Sequence, residues 1–299
     1  MSSTVTKFPQ IDHDEARGPL SEIYEDIHST LRVPWVAFAI RVMSTFPGFV
    51  PAAWAAAKPN MSTVYAERCA DEIRKAALLP GADPPNPRAR LLKMGWSEAR
   101  ISALNLILDE LNYGNPKYLL LITAWEQAFH SRDAGGRTAV PADLASSISR
   151  GLPHGVAKLH LVDHEEASEE VHELWRREID MHLHHGPASD YRVLAAFPDY
   201  LKLALDEVLE PVVRTPAYEE AAVRIRAIAR RGVAGFPSIG GVSRESVQST
   251  CSPAETAGLA GLLFMYTRFI ADITIDIIRL KQAFEGPASA GESKFPVSA

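Results

Sequence analysis

Residues 40–50 read IRVMSTFPGFV, and residues 191–201 read YRVLAAFPDYL. The second stretch repeats the first 151 positions later, with Arg41/Arg192, Val42/Val193, Phe46/Phe197 and Pro47/Pro198 identical. The match extends upstream, where IDHDEARGPLSEIY (11–24) aligns with VDHEEASEEVHELW (162–175) at the same offset. Asp12/Asp163, His13/His164, Glu15/Glu166, Ala16/Ala167 and Glu22/Glu173 are further identities, and the register holds without a gap from 11–50 to 162–201. Later it drifts: Tyr65 matches Tyr218, and QAF at 127–129 matches QAF at 282–284. A period this long is not a solenoid repeat. It implies two tandem helical repeats forming an internal pseudo-dimer, with a functional site between them.

The local pattern is helical. EARISALNLILDEL (98–111) and YEEAAVRIRAIARR (218–231) carry apolar residues at three- and four-residue spacing. SPAE (252–255) reads as a helix start, with Ser at the cap, Pro first and Glu third. Alternating strand-type runs and Asn-Gly hairpin turns are missing. The fold class is therefore all-α. The expected organisation is a first repeat over 1–130, a Gly-, Ser- and Pro-containing linker over 131–160, a second repeat over 161–285 and a flexible tail over 286–299.

Composition limits the function classes. With 46% apolar and 23% charged residues in 299, the chain has material for a sizeable core. A net charge of −6 argues against nucleic acid as a partner, because no basic stripe offers counterion release. The most apolar stretch, 259–278, carries Arg268, Asp272 and Asp276 and reads as a core helix, not a membrane span. The N-terminus lacks the apolar core of a signal peptide, and Cys69 and Cys251 form no CxxC, so a cytoplasmic protein with reduced thiols is expected. The lack of CxxC also argues against an all-α peroxidase that depends on that motif.

The two copies differ in one informative place. Where the first has Phe38-Ala39, the second has Ser189-Asp190. Pro34 and Pro187 each suit the first turn of a helix, and two helix starts facing each other would offer N–H groups to a small anion. An Asp in a first turn also simply complements the helix dipole. Trp35 and Phe38, at i and i+3, equally suit a core. A second asymmetry lies in LNYGNPKYLL (111–120), read as a break at Gly114-Asn115-Pro116 with Asn115 capping a helix that runs from Pro116. Tyr118 shares a face with Asn115, and an offset of 155 puts Ile270 and Ile273 in their places.

No metal and no cofactor are expected. Glu25…His28 and Glu169…His172 have di-iron spacing, but the offset of 151 maps them onto Arg176 and Gly18, so they are not repeat-related and read as solvated charges. HLHH (182–185) reads as exposed or capping.

PWVAF (34–38), YGNPKY (113–118) and PASDYR (187–192), in this order within a duplicated all-α chain, resemble the group I 2-haloacid dehalogenases, the non-stereospecific D,L-2-haloacid dehalogenases. The resemblance implies an all-α pseudo-dimer, assembled as a homodimer, that hydrolyses short 2-haloalkanoic acids such as 2-chloropropionate. Water attacks C2 directly, with inversion and no covalent intermediate. Asp190 matches the catalytic aspartate that activates the water, and Asn115 the asparagine that helps hold it. Trp35, Phe38, Tyr118 and Ser189 match positions lining the substrate site. Thr63 and Glu67 look like a Thr/Glu pair important in some members; a solvated role suits Glu67 equally. Ala188 matches a position where D-specific relatives carry a bulkier Asn, so room for both enantiomers is expected. The rival reading is a non-catalytic helical binding protein for small organic acids.

For this chemistry Asp190 faces opposed effects. A helix N-terminus lowers its pKa, whereas apolar walls and the substrate's own charge raise it. A working base needs the second pair to win, so Asp190 is expected to be substantially buried.

Overall fold

Ser252 opens the longest helix of the chain. It accepts the Glu255 N–H at 3.2 Å, while the Glu255 carboxylate accepts the Ser252 N–H at 2.7 Å. This reciprocal cap satisfies two of the N–H groups that a helix start leaves open. The computed structural model describes residues 9–137, 139–156, 159–295 and 297. In chain order its helices are α1 (Pro19–Leu31), α2 (Phe38–Met43), α3 (Phe49–Met61), α4 (Val64–Ala76), α5 (Arg88–Lys93), α6 (Glu98–Phe129), α7 (Ala142–Ala145), α8 (Glu169–His182), α9 (Ser189–Leu194), α10 (Pro198–Ala204), α11 (Pro216–Ala234), α12 (Arg244–Val247) and α13 (Pro253–Ala290), with a π-helical turn at Leu205–Leu209 after α10. Among the described residues there is no strand, only an isolated bridge between Thr63 and Ser147, and the all-α class holds. No described helix is long and apolar enough to cross a membrane.

Helices α6 and α13 lie along each other, and α4 and α11 pack on them. Every residue of α6 from Leu108 to Phe129 is buried. A helix enclosed on all sides shows no amphipathic stripe, and this one buries Asp109, Glu110, Asn112, Asn115, Lys117, Glu126 and Gln127 along with its apolar residues.

Three expectations are corrected. First, α6 runs unbroken through Pro116, so Asn115 is a mid-helix residue and not a cap. Proline cannot donate to the carbonyl four residues back. Arg74 fills the gap: its Nε donates to the Asn112 carbonyl at 3.1 Å. A buried cation from α4 thus lets the helix continue. Second, α2 and α9 begin at Phe38 and Ser189, beyond Pro34 and Pro187, because Ala37 and Ala188 are still extended (ψ 144° and 155°). Third, the described part of the tail packs down. After a kink at Gly286, Ala290 accepts the Asn112 side-chain amide at 2.9 Å, and Phe295 is buried against Tyr113. The linker is also tied to the first half, with Val64 N–H donating to the Ser146 carbonyl at 3.0 Å and Gly151 N–H to the Ser29 carbonyl at 2.8 Å.

Local features recur at the spacing of the sequence repeat. Ile11 N–H donates to the Arg41 carbonyl at 3.1 Å, and Val162 N–H to the Arg192 carbonyl at 3.1 Å. Helix α1 ends on left-handed Arg32 (φ 59°) and α8 on left-handed Leu183 (φ 58°).

Candidate active site

Four segments close on a small cavity: the extended stretch before α2 with its first turn, the middle of α6, the loop between α8 and α9 with the first turn of α9, and α13. The cavity encloses about 50 Å³. At roughly 10–15 Å³ per water-sized sphere, that is room for about four waters or a ligand of a few heavy atoms. Trp35, Phe38, Asn115, Tyr118, Ala188, Ser189 and Asp190 all line it. So do Ala37, Ala39, Gly186, Ile270 and Ile273. The wall therefore contains both members of 35/186, 37/188, 38/189 and 39/190 at offset 151, and of 115/270 and 118/273 at offset 155.

Asp190, the second residue of α9, is buried as expected, at 5% exposure. Asn115 Nδ2 donates to its Oδ1 at 2.6 Å. Burial raises the Asp190 pKa to about 7; the Asn115 hydrogen bond and the residue's own N–H pull it down, while the Asp276 and Glu178 charges add to the rise. The carboxyl is thus poised near neutrality, where a general base works best.

The aromatic walls are anchored by their polar ends. The Tyr118 hydroxyl donates to the Trp35 carbonyl, which fixes the extended segment against α6. The Trp35 ring lies over Gly114, where any Cβ would overlap it. Buried Arg41 on α2 donates from Nη1 to the Val36 carbonyl at 2.6 Å and from Nη2 to Ser189 Oγ at 3.4 Å, so it bridges α2 and α9. From α13 come Tyr266, Phe269, Ile270 and Ile273, spaced i, i+3, i+4 and i+7, one apolar face opposite the polar edge.

Thr63 and Glu67 are not among the residues that line the cavity. Thr63 caps α4, accepting the Ala66 N–H at 3.2 Å. Glu67 is buried, not solvated: it pairs with Lys117 of α6 and accepts the Tyr113 hydroxyl at 3.2 Å. Lys117 also donates to the Leu31 carbonyl at 2.9 Å, so the pair ties α4 and α6 to the end of α1.

HLHH is not exposed, apart from Leu183. His184 and His185 line the cavity. His185 is half-buried, stacked between Phe38 (5.4 Å) and Phe269 (5.5 Å), and burial lowers its pKa to about 4, so it is neutral near pH 7. His184 Nδ1 lies 2.8 Å from Glu178 Oε1, and His182 Nε2 lies 2.7 Å from Asp276 Oδ2. The sequence did hold a signal for this. Val171, Leu174, Trp175, Glu178 and His182 fall on one helical face, and all are buried.

Two sets of side chains have donor atoms within 4.8 Å of one another, His13/Glu25/His28 and His182/His184/Asp272. In the second set His182 and His184 are engaged by Asp276 and Glu178. In the first set His13 is engaged by Glu25 at 2.9 Å.

A carboxyl raised toward neutrality and held by an amide thus lines a small, mainly apolar cavity. The comparisons place the chain more narrowly. The sequence profile of the family described as halocarboxylic acid dehydrogenase DehI matches residues 34–191, and the chain belongs to that family. It is 56% identical over 292 residues to a configuration-inverting 2-haloacid dehalogenase of Pseudomonas sp. (strain 113), covering 97% of this chain and 95% of the relative. It is 45% identical over 291 residues to a configuration-inverting 2-haloacid dehalogenase of Alcaligenes xylosoxydans xylosoxydans, covering 97% and 98%. Among solved structures, a D-2-haloacid dehalogenase in complex with L-LA superimposes with a TM-score of 0.87 at 26% identity, covering 93% of this chain and 96% of that one. The family description says dehydrogenase; both relatives are named dehalogenases.

Proposed function

We propose that this chain hydrolyses the carbon–halogen bond of short 2-haloalkanoic acids, with inversion at C2, using a water activated by Asp190. The observation that carries the reading is the 2.6 Å bond from Asn115 to an Asp190 raised to about 7 in a cavity of about 50 Å³. Asn115 occupies one carboxylate oxygen and leaves the other for a water. That water attacks C2 as the carbon–halogen bond breaks on the opposite face. Its proton goes to Asp190, and halide and 2-hydroxy acid leave. The first turns of α2 and α9 border the cavity. Tyr266, Phe269, Ile270 and Ile273 offer an apolar wall to the alkyl and halogen end. The family membership and the configuration-inverting relatives support the same chemistry.

The paired wall positions also support reading the chain as two helical repeats about a pseudo-twofold axis, with the cavity on it. One substrate on that axis needs one base, which accounts for an aspartate in one copy only. Ala188, small and at the wall, leaves room for either enantiomer, so activity on both is part of the proposal. A cytoplasmic homodimer acting on the free acid completes it.

The test is halide release with D- and L-2-chloropropionate supplied separately. Release from both supports the whole reading. Release from one keeps the activity and overturns the role given to Ala188. Release from neither, by folded protein, overturns the activity.

A further inference from the structure

Behind the cavity lies a buried polar cluster that the chemistry above does not use. Asp276, fully buried on α13, accepts the Tyr191 hydroxyl at 2.7 Å and the Tyr218 hydroxyl at 2.9 Å, and pairs with His182 at 2.7 Å. Glu178, fully buried on α8, holds His184 at 2.8 Å and is reached by the Ala188 N–H. Glu178 therefore grips both ends of the short segment that leads into α9. Tyr191, gripped by Asp276, is the residue after Asp190.

Apart from Tyr218, whose counterpart is Tyr65, the first half builds the same places without polar groups. The offset of 151 puts Ile27, Leu31, Val33 and Ile40 at the positions of Glu178, His182, His184 and Tyr191, and the offset of 155 puts Leu121 at that of Asp276. All five are buried, none more than 1% exposed. Buried ionic groups are generally no more stabilising than well-packed apolar ones. Folding therefore does not require the polar set; it occurs only in the half that carries Asp190.

We propose that Glu178, His184, His182, Asp276 and Tyr191 form a positioning network that fixes the loop before α9 and its first turn, and so aims the Asp190 carboxylate into the cavity. This rests on the reading of Asp190 as the base and of the two halves as equivalent. Asp190 is met by Asn115 and Tyr118 from α6 and by the charges of Glu178 from α8 and Asp276 from α13, it shares the cavity wall with His184 and His185, and Arg41 of α2 reaches the neighbouring Ser189. Burial works against charge on His182, yet Asp276 beside it holds its pKa up at about 9. Burial raises Glu178 to about 8.

The experiment is halide release from 2-chloropropionate by wild type, Tyr191→Phe and Asp276→Asn across the neutral pH range, with thermal unfolding of each. Wild-type release validates the underlying activity; its failure would overturn that reading and not the network alone. The network predicts that both variants lose roughly 10- to 100-fold in kcat with KM little changed, as for a misaimed catalytic group. A lower Tm with wild-type kcat would reduce the cluster to packing and overturn the proposal. If Asp276→Asn does not fold, Tyr191→Phe decides alone, because it keeps the ring and removes only the hydroxyl: a wild-type kcat there overturns the proposal too.

Discussion

The starts of α2 and α9 are nearly the same piece of backbone carrying different side chains. Both follow an extended alanine, Ala37 (φ −57°, ψ 144°) and Ala188 (φ −63°, ψ 155°), and both carry a buried arginine in the last turn, Arg41 and Arg192. One presents Phe38 and Ala39 to the cavity, the other Ser189 and Asp190. The comparison separates what the fold needs from what the chemistry needs. Extended entry, short helix and buried arginine recur, so they belong to the scaffold. The carboxyl, its Asn115 partner and the five-residue polar network behind it occur once, which is what the proposed chemistry asks of a site.

The largest effect tests that separation directly. Asp190→Asn is expected to lower halide release about 10²- to 10⁴-fold, the range of a general base, with folding retained. Adding Ala39→Asp to that variant is expected to recover nothing, because the counterpart of Asn115 there is Ile270. Recovery of rate would show that the two starts are chemically interchangeable.

A second prediction concerns scaffold outside the cavity. Glu67→Ala strands the buried Lys117 ammonium and is expected to destabilise by about 3–5 kcal/mol, read by denaturant unfolding. Residual activity should follow the folded fraction. A folded variant that has lost its rate would instead place Glu67 in the chemistry.

Third, Asp190→Asn should stabilise the protein at mildly alkaline pH. The Asp190 pKa is raised to about 7 by burial, so the folded state binds its proton more tightly than the unfolded chain does. The stability this adds is present below the ordinary aspartate pKa and is lost as pH rises through about 7. Removing the ionisable group removes that loss, a gain on the order of 1–3 kcal/mol above neutrality and none in acid. Equal Tm differences at both pH values would contradict the buried, raised carboxyl. Gly114→Ala, which forces the Trp35 ring off α6, should cost about 1–3 kcal/mol and raise KM. Ile273→Val is the mildest, about 0.5–1.5 kcal/mol, with longer 2-haloacids accepted slightly better.

The sequence disclosed more of the site than of its supports. Helical periodicity and the cap at Ser252 were legible because they are local. The cavity wall was legible because the repeat aligned 35/186, 38/189, 39/190, 115/270 and 118/273, and resemblance supplied the roles. What escaped depends on contacts remote in sequence. Pro116 read as a helix break because nothing nearby reveals that Arg74 will take the freed Asn112 carbonyl. HLHH read as surface because histidine-rich stretches are polar, and only Asp276 and Glu178 make burial tolerable. Glu67 read equally as one of a functional Thr/Glu pair or as a solvated residue, because nothing nearby in sequence reveals that Lys117 will meet it from another helix.

The most direct measurement is the pH dependence of kcat/KM for halide release from 2-chloropropionate. The account predicts an acid limb near pH 7, matching Asp190 raised to about 7, and its disappearance in the residual activity of Asp190→Asn. A rate that stays level down to the ordinary aspartate range would contradict Asp190 as a base raised by burial.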